Sequence, residues 1–360
     1  MKRFDVATRI YSGPGAVEAL AEFGAKRLMV VTDPFFYENG TAAQIGAAAK
    51  AERTEYFYKV KPDPSVALAA EGTAAVKAFD PDLLVALGGG SAMDCAKAML
   101  WFSGSEATFV AIPTTSGSGS EVTDFAILTH EGVKHPLVDR RLRPDAAILD
   151  SRFLEKLPKS LIADTGFDAL CHALEAFVAR DGSFFTDCLA KEAFCTVYAL
   201  LPASFAGNTE VRLKLHQAAT MAGMAFTQAG LGLCHGIAHS LGGMFHVPHG
   251  RLNAVLLPAV IGCNAHAAGE KYARLATSVG MVGSAQTVAV RNLRSGLTRL
   301  RRELGMPSTL QEAGIPVGKL RQNMEKIVEA TMADPCCATN PLQVEPFVIR
   351  RVLEEVAGRG

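Results

Sequence analysis

The sequence has no excess charge of either sign: 36 Lys and Arg balance 36 Asp and Glu in 360 residues. A neutral total leaves no basic field to hold nucleic acid or an anionic membrane. No run of eighteen apolar residues is present, which predicts no membrane span. The start, MKRFDVATRIYSG, lacks the apolar stretch of a secretory signal, so a cytoplasmic protein is expected. The eight cysteines form no CxxC pair, and Cys336 and Cys337 are adjacent, a poor geometry for a structural disulfide. Reduced, mostly buried thiols are expected. Repeats, low-complexity tracts and long linkers are also missing.

What is present is a well-buried globule, with 49% hydrophobic and 20% charged residues. Its length is too great for one ordinary core, so two domains are expected. The first half alternates. Segments 27–33, 54–60, 82–91 and 108–115 read as apolar strands, and 41–52, 64–79 and 92–102 as helices, with Pro64 suited to a helix start. Near-continuous apolar strands alternating with helices predict a parallel sheet covered on both faces. From about Pro158 onward the periodicity is helical. These textures predict an α/β domain over 1–157 and an all-helical domain over 158–360, with a ligand site expected in the cleft between them.

Two glycine-bearing loops follow strands. In LVALGGGSAMDCAKA (84–98) a buried strand stops at Gly88, Gly89 and Gly90, and Ser91 stands where it could cap the next helix. Backbone N–H groups at such a helix start suit a pyrophosphate, although a tight strand–helix turn reads equally well on this stretch alone. IPTTSGSGSE (112–121) supplies hydroxyls at Thr114, Thr115, Ser116, Ser118 and Ser120 for a ribose or phosphate. Two such loops at strand ends favour nucleotide binding. Asp33, after the first of these strands, could accept from a ribose hydroxyl and repel the extra phosphate of NADP; a helix N-cap is the alternative. GPGAV (13–17) starts like a dinucleotide fingerprint but fails at Glu18, so a turn is expected there.

Four of the nine histidines fall in CHGIAHSLGGMFHVPHG (234–250). His235 and His239 are four apart, on one face of a helix, and His249 follows after a turn. Asp168 and His172 are likewise four apart in DALCHALEAF (168–177). One carboxylate and three imidazoles, Asp168, His172, His235 and His249, suit Fe²⁺ or Zn²⁺ better than Mg²⁺ or Ca²⁺. A local hydrogen bond explains the Asp168/His172 pair taken alone, and a lone histidine in an apolar helix reads as a satisfied core residue. His246 and His266 are assigned to the core.

With these residues in hand, the chain resembles the iron-containing (group III) alcohol dehydrogenases essentially end to end. The markers are GGGSAMDCAKA, IPTTSGSGSE, DALCHALEAF and GLGLCHGIAHSLGGMFHVPHG. TRIYSGPGAVEAL and AGMAFTQAGLGL are most similar to the 1-propanol/ethanol dehydrogenases of bacterial microcompartments. The resemblance implies a Rossmann-like nucleotide domain followed by a helical metal domain, as in dehydroquinate synthase-like proteins. It implies NAD(H) and one divalent metal per chain, Fe²⁺ ahead of Zn²⁺. It implies reduction of propionaldehyde or acetaldehyde, a homodimer, and microcompartment shell or cargo partners. By position it places metal ligands on Asp168, His172, His235 and His249, an active-site histidine on His239, and nucleotide contacts on Asp33, Gly89, Gly90, Ser91, Asp94, Thr114, Thr115, Ser118 and Lys134. Asp63 stands where many relatives have Asn near the nicotinamide. The competing readings are a polyol dehydrogenase, a dehydroquinate-synthase-like lyase and a non-enzymatic metal-binding microcompartment protein. The apolar ligand stretches favour a small aliphatic substrate over the phosphorylated one a lyase would need basic residues to hold.

Overall fold

The computed structural model describes residues 4–131 and 133–358. The chain forms two compact units, Asp5–Leu157 and Pro158 onward, the latter joined by Phe4, whose ring stacks on Phe185. In the first unit, strands β1 (Arg9–Ser12), β2 (Arg27–Val31), β3 (Arg53–Phe57), β4 (Leu83–Gly88), β5 (Thr108–Pro113) and β8 (Ala146–Leu149) form one parallel sheet in the order β1-β8-β5-β4-β2-β3. Helices α1 (Pro34–Glu38), α2 (Thr41–Ala49), α3 (Val66–Phe79) and α4 (Gly90–Ser103) connect the strands. Side chains alternate across each strand, yet both faces are buried. Leu28, Val30, Val85, Leu87 and Ile112 pack on one side of the sheet, and Met29, Val31, Leu84, Ala86 and Ala111 on the other. This double burial is why the strands read as unbroken apolar runs.

The helix over Val66–Phe79 is capped by the Ser65 hydroxyl, which accepts from Leu68 N, so Pro64 lies outside the helix rather than opening it. One element was not expected from the sequence. β6 (Phe125–His130) and β7 (Val133–Val138) form an antiparallel hairpin beside the main sheet. It is tied to α4 by Lys97, a fully buried lysine. Its ammonium donates to the Ser120 and Thr123 hydroxyls and to the carbonyls of Thr123 and Phe125, at 2.8–3.1 Å. Burial pushes the Lys97 amine down to about 8, against the opposing pull of Asp94, Glu121 and Asp124.

The second unit consists of α5 (Lys159–Val178), α6 (Phe184–Ala206), α7 (Arg212–Ala229), α8 (Leu233–Phe245), α9 (His249–Ser278), α10 (Gln286–Glu303), α11 (Val317–Gln322), α12 (Met324–Ala333) and α13 (Pro346–Val356). Nearly all of α5 is buried. On length and mean hydropathy alone, α6 and α9 would qualify as membrane spans; 72% of the most apolar window of α9 is buried within the protein, which is what a core helix gives. Pro258 removes an N–H from the middle of α9 and so frees the Ala254 carbonyl; Arg301 on α10 donates to it at 3.3 Å.

Lys97→Met should remove the buried brace between α4 and the 120–125 segment. A loss of about 3 kcal/mol is expected for buried hydroxyl and carbonyl acceptors left without their donor. A lowered urea midpoint of the α/β unit would show it, and an unchanged midpoint would contradict it.

Candidate metal centre and nucleotide loops

In α5, Asp168, His172 and Glu175 stand at i, i+4 and i+7, on one stripe of the helix. Asp168 Oδ1 lies 3.9 Å from His235 Nε2 and 3.7 Å from His249 Nε2. Asp168, His235 and His249 each offer a ligand atom, all within 4.8 Å of one another. His172 adjoins this set: its Nδ1 is 4.0 Å from Asp168 Oδ2, and its ring stacks on His235 at 4.4 Å and on Phe226 at 4.5 Å. The structure thus brings all four expected residues to one place, three of them as a compact donor set.

The approach of α9 to α5 depends on Gly250. A Cβ there would drive into the Asp164 carbonyl oxygen, so only glycine lets the start of α9 carry His249 to Asp168. Arg251 completes the clamp with an ion pair to Asp164 at 2.9 Å.

Glu175 was missed in the sequence, though it sits inside DALCHALEAF. Its buried carboxylate accepts from the backbone N–H groups of Gly232, Cys234 and His235 at 3.0, 2.8 and 3.3 Å, and from His235 Nδ1 at 2.6 Å. These N–H groups are the orphan donors of the α8 start. Burial pushes the Glu175 carboxyl up to about 7, and the backbone donors pull it back. Burial holds the His235 imidazole well below its usual range, so the ring is neutral. With Nδ1–H donating to Glu175, His235 Nε2 turns a lone pair toward Asp168. This carboxylate–histidine pairing is the support a metal-bound imidazole requires. Asn253, also unassigned from the sequence, donates to Asp168 Oδ1 at 2.8 Å and lies 3.3 Å from His235 Nε2. The donor set and the orientation of its imidazole fit a divalent ion of the iron or zinc type.

His239 lies one turn beyond His235. It stacks on His249 at 5.0 Å, and its Nδ1 is 2.9 Å from Asp334 Oδ2. Burial would raise the Asp334 carboxyl, but the His239 hydrogen bond outweighs it and holds the group below the usual carboxylate range. His246 and His266 are not core residues: both are exposed. His246 ends α8 in a left-handed conformation, φ 55°, which the apolar composition of its neighbours did not disclose.

In the α/β unit, Asp33 and the two loops meet at adjacent strand ends. The sheet order reverses between β2 and β4, the point where open α/β sheets place ligands. Gly88 has φ 152°, and a Cβ on it would lie 2.7 Å from the Ala92 methyl and 4.0 Å from Asp33 Oδ2. A Cβ on Gly89 would meet the Thr115 hydroxyl at 3.3 Å, and one on Gly90 would meet Ser118 at 3.2 Å, so the loops face each other. Asp33 does cap α1: its Oδ1 accepts from Phe36 N at 3.1 Å, while Oδ2 is the oxygen beside Gly88. Ser91 is not the cap of α4. The helix starts one residue earlier, and extended Gly89 holds the cap position with no side-chain bond.

Thr114 is buried, with its N–H on the Gly88 carbonyl. Asp94 lies deeper, accepting from the Ser120 hydroxyl and Ile127 N, and burial raises its carboxyl. Lys134 pairs with Asp63 at 2.7 Å, and Asp63 itself takes φ 53° in a turn.

Known proteins agree with this picture. The iron-containing alcohol dehydrogenase family model matches residues 7–151, and the C-terminal model of the same family matches 162–356. The chain is 40% identical to the 1-propanol dehydrogenase PduQ of Salmonella typhimurium, over 99% of this chain and all of that one. It is 35% identical to the NADPH-dependent butanol dehydrogenase of Clostridium saccharobutylicum, over 98% and 97%. Among solved structures, an iron-containing alcohol dehydrogenase from Thermococcus thioreducens superposes with a TM-score of 0.91 at 32% identity, covering 98% of this chain and 99% of that one. A 1,3-propanediol oxidoreductase gives 0.93 at 30%, over 99% and 100%.

Glu175→Gln keeps the shape but sets an amide N–H₂ against donors. Metal affinity is expected to fall roughly 10–100-fold. Competition with a chromophoric chelator reads this directly, and an affinity equal to wild type would remove the carboxylate from that role.

Proposed function

The chain belongs to the iron-containing alcohol dehydrogenase family, and on that premise we propose that it interconverts propionaldehyde and acetaldehyde with 1-propanol and ethanol, using NAD(H). The observation that carries the reading is the convergence of Asp168, His235 and His249 beside His172. These four residues would hold the metal, Fe²⁺ ahead of Zn²⁺. When bound, the metal acts as a Lewis acid on the substrate oxygen, and the nicotinamide exchanges hydride with the substrate carbon.

The chain's own residues do the rest. Glu175 fixes the His235 tautomer, and Asn253 holds the Asp168 carboxylate in place. His239, its Nδ1 committed to Asp334, has Nε2 left to take or give the hydroxyl proton. The open start of α4 at Gly88, Gly89, Gly90 and Ser91 suits the pyrophosphate, with hydroxyls from Thr114, Thr115 and Ser118 opposite. Asp33 Oδ2 suits a ribose hydroxyl and disfavours a 2′-phosphate. Asp94 supports the hydroxyl loop through Ser120, and Lys134, paired with Asp63, is the remaining cofactor contact in this reading.

The relatives named 1-propanol and butanol dehydrogenases support a short aliphatic substrate. A polyol substrate is the second reading, favoured by the likeness to the 1,3-propanediol oxidoreductase structure. A cytoplasmic homodimer carried in a bacterial microcompartment is the matching proposal for where it works.

Anaerobically purified protein should contain about one iron per chain and oxidise NADH with propionaldehyde and acetaldehyde. Protein free of metal yet fully active would end the reading. His235→Ala should lose metal and turnover together. Asp33→Ser keeps a helix-capping oxygen but removes the charge, so NADP use should rise against NAD by roughly tenfold, about 1.4 kcal/mol. An unchanged cofactor ratio would release Asp33 from this role.

A further inference from the structure

A second set of donors lies outside the Asp168 cluster. Asp334 caps a short 3₁₀ turn, Pro335–Thr339, with Oδ1 accepting from Cys336 N at 2.9 Å, which leaves Oδ2 for His239 Nδ1. The Cys336 sulfur closes the group: one ligand atom each from His239, Asp334 and Cys336 lie within 4.8 Å of one another. The turn is not loosely held. Pro335 stiffens its start, and a Cβ on Gly236 would meet the Cys337 sulfur at 2.6 Å, so Cys337 packs directly on α8. The Thr331 and Ser240 hydroxyls bond across the same contact at 3.0 Å. His239 and Asp334 keep 26% and 14% side-chain exposure, enough for an ion to enter.

We propose that His239, Asp334 and Cys336 form a second cation site, selective for a thiophilic divalent ion such as Zn²⁺, and that its occupation inhibits the enzyme. A nitrogen, a carboxylate oxygen and a sulfur are a zinc-type donor set, which Mg²⁺ and Ca²⁺ do not favour. Three protein ligands leave one position for water. The site shares no ligand with the Asp168 set.

Binding releases the Cys336 thiol proton to solvent and forms an ion–thiolate bond. The imidazole stays neutral: its proton moves from Nδ1 to Nε2 as Nδ1 takes the ion. With Nε2 protonated, His239 cannot accept a proton from substrate. This consequence rests on the proton role proposed above for His239. Burial and the Asp334 charge make the Cys336 thiol harder to ionise, so only an ion with strong thiolate affinity recruits it.

The test uses anaerobic, iron-loaded enzyme. Zn²⁺ is titrated against NADH-linked turnover, and Co²⁺ against the near-ultraviolet thiolate-to-cobalt absorption band. Wild type should show the band and lose activity. Cys336→Ser should lose the band, and its half-inhibiting Zn²⁺ concentration, read against its own Zn²⁺-free rate, should rise by roughly tenfold or more, the loss expected for one ligand. Asp334→Ala should shift in the same direction. Equal inhibition of wild type and Cys336→Ser would place the effect at the iron ligands and overturn the proposal, as would a wild type without the band. A band without inhibition would overturn the inhibitory claim and remove His239 from proton transfer.

Discussion

The chemistry of the helical unit depends on one buried carboxylate. Glu175 takes three of the four leading N–H groups of α8, and Asn340 Oδ1 takes the fourth, from Leu233 at 3.1 Å. Asn340 is in turn locked by reciprocal bonds to Asn264, both 2.9 Å. Burying a carboxylate costs several kcal/mol. Four donors and the positive end of α8 offset that cost. The same anion accepts a hydrogen bond from His235 Nδ1–H, so the interaction that seats α8 on α5 also sets which nitrogen faces Asp168. Fold and tautomer are therefore one decision.

The start of α4 follows the opposite rule. Its cap residue, Gly89, brings no side chain to the orphan N–H groups, and the loop around it is built from residues without bulk. A helix start whose donors are consumed by the protein is structural, as α8 is. A start left uncapped at the switch point of a parallel sheet is disposed to take an anion. Behind it, Asp94 and Lys97 hold the opposing hydroxyl loop by hydrogen bonds within the protein, so the loops face each other on a rigid support.

Much of this was legible in the residues. Apolar runs ending in glycines marked the parallel strands, and the two i, i+4 pairs marked the donors, because both signals are local. What escaped was long-range. Glu175 lies on the same helical stripe as Asp168 and His172, but its role requires the start of α8, 57 residues away. Asn253 meets Asp168 across 85 positions, and Asp334 meets His239 across 95. The β6–β7 hairpin gave no alternation strong enough to separate it from a loop. Ser91 misled because a serine near a helix start usually caps, and Gly89, two positions earlier, holds the cap instead. His246 and His266 misled because apolar neighbours in sequence say little about which face of a helix a residue occupies.

The buried centre also explains why its supports are so numerous. Holding a carboxylate beside three imidazoles in an apolar helical core opposes folding. Each support answers part of that cost with a group the fold already needs. Gly250 lets α9 approach, Arg251 neutralises Asp164 beside it, Asn253 satisfies Asp168, and Glu175 serves both a helix start and an imidazole. An ion bound there would then add its binding energy to a scaffold already in shape, rather than spend it on ordering the ligands. Preorganisation of this kind favours tight retention of whichever ion the donors prefer. It also argues that removing a supporting residue should weaken the centre without necessarily dissolving the helices around it.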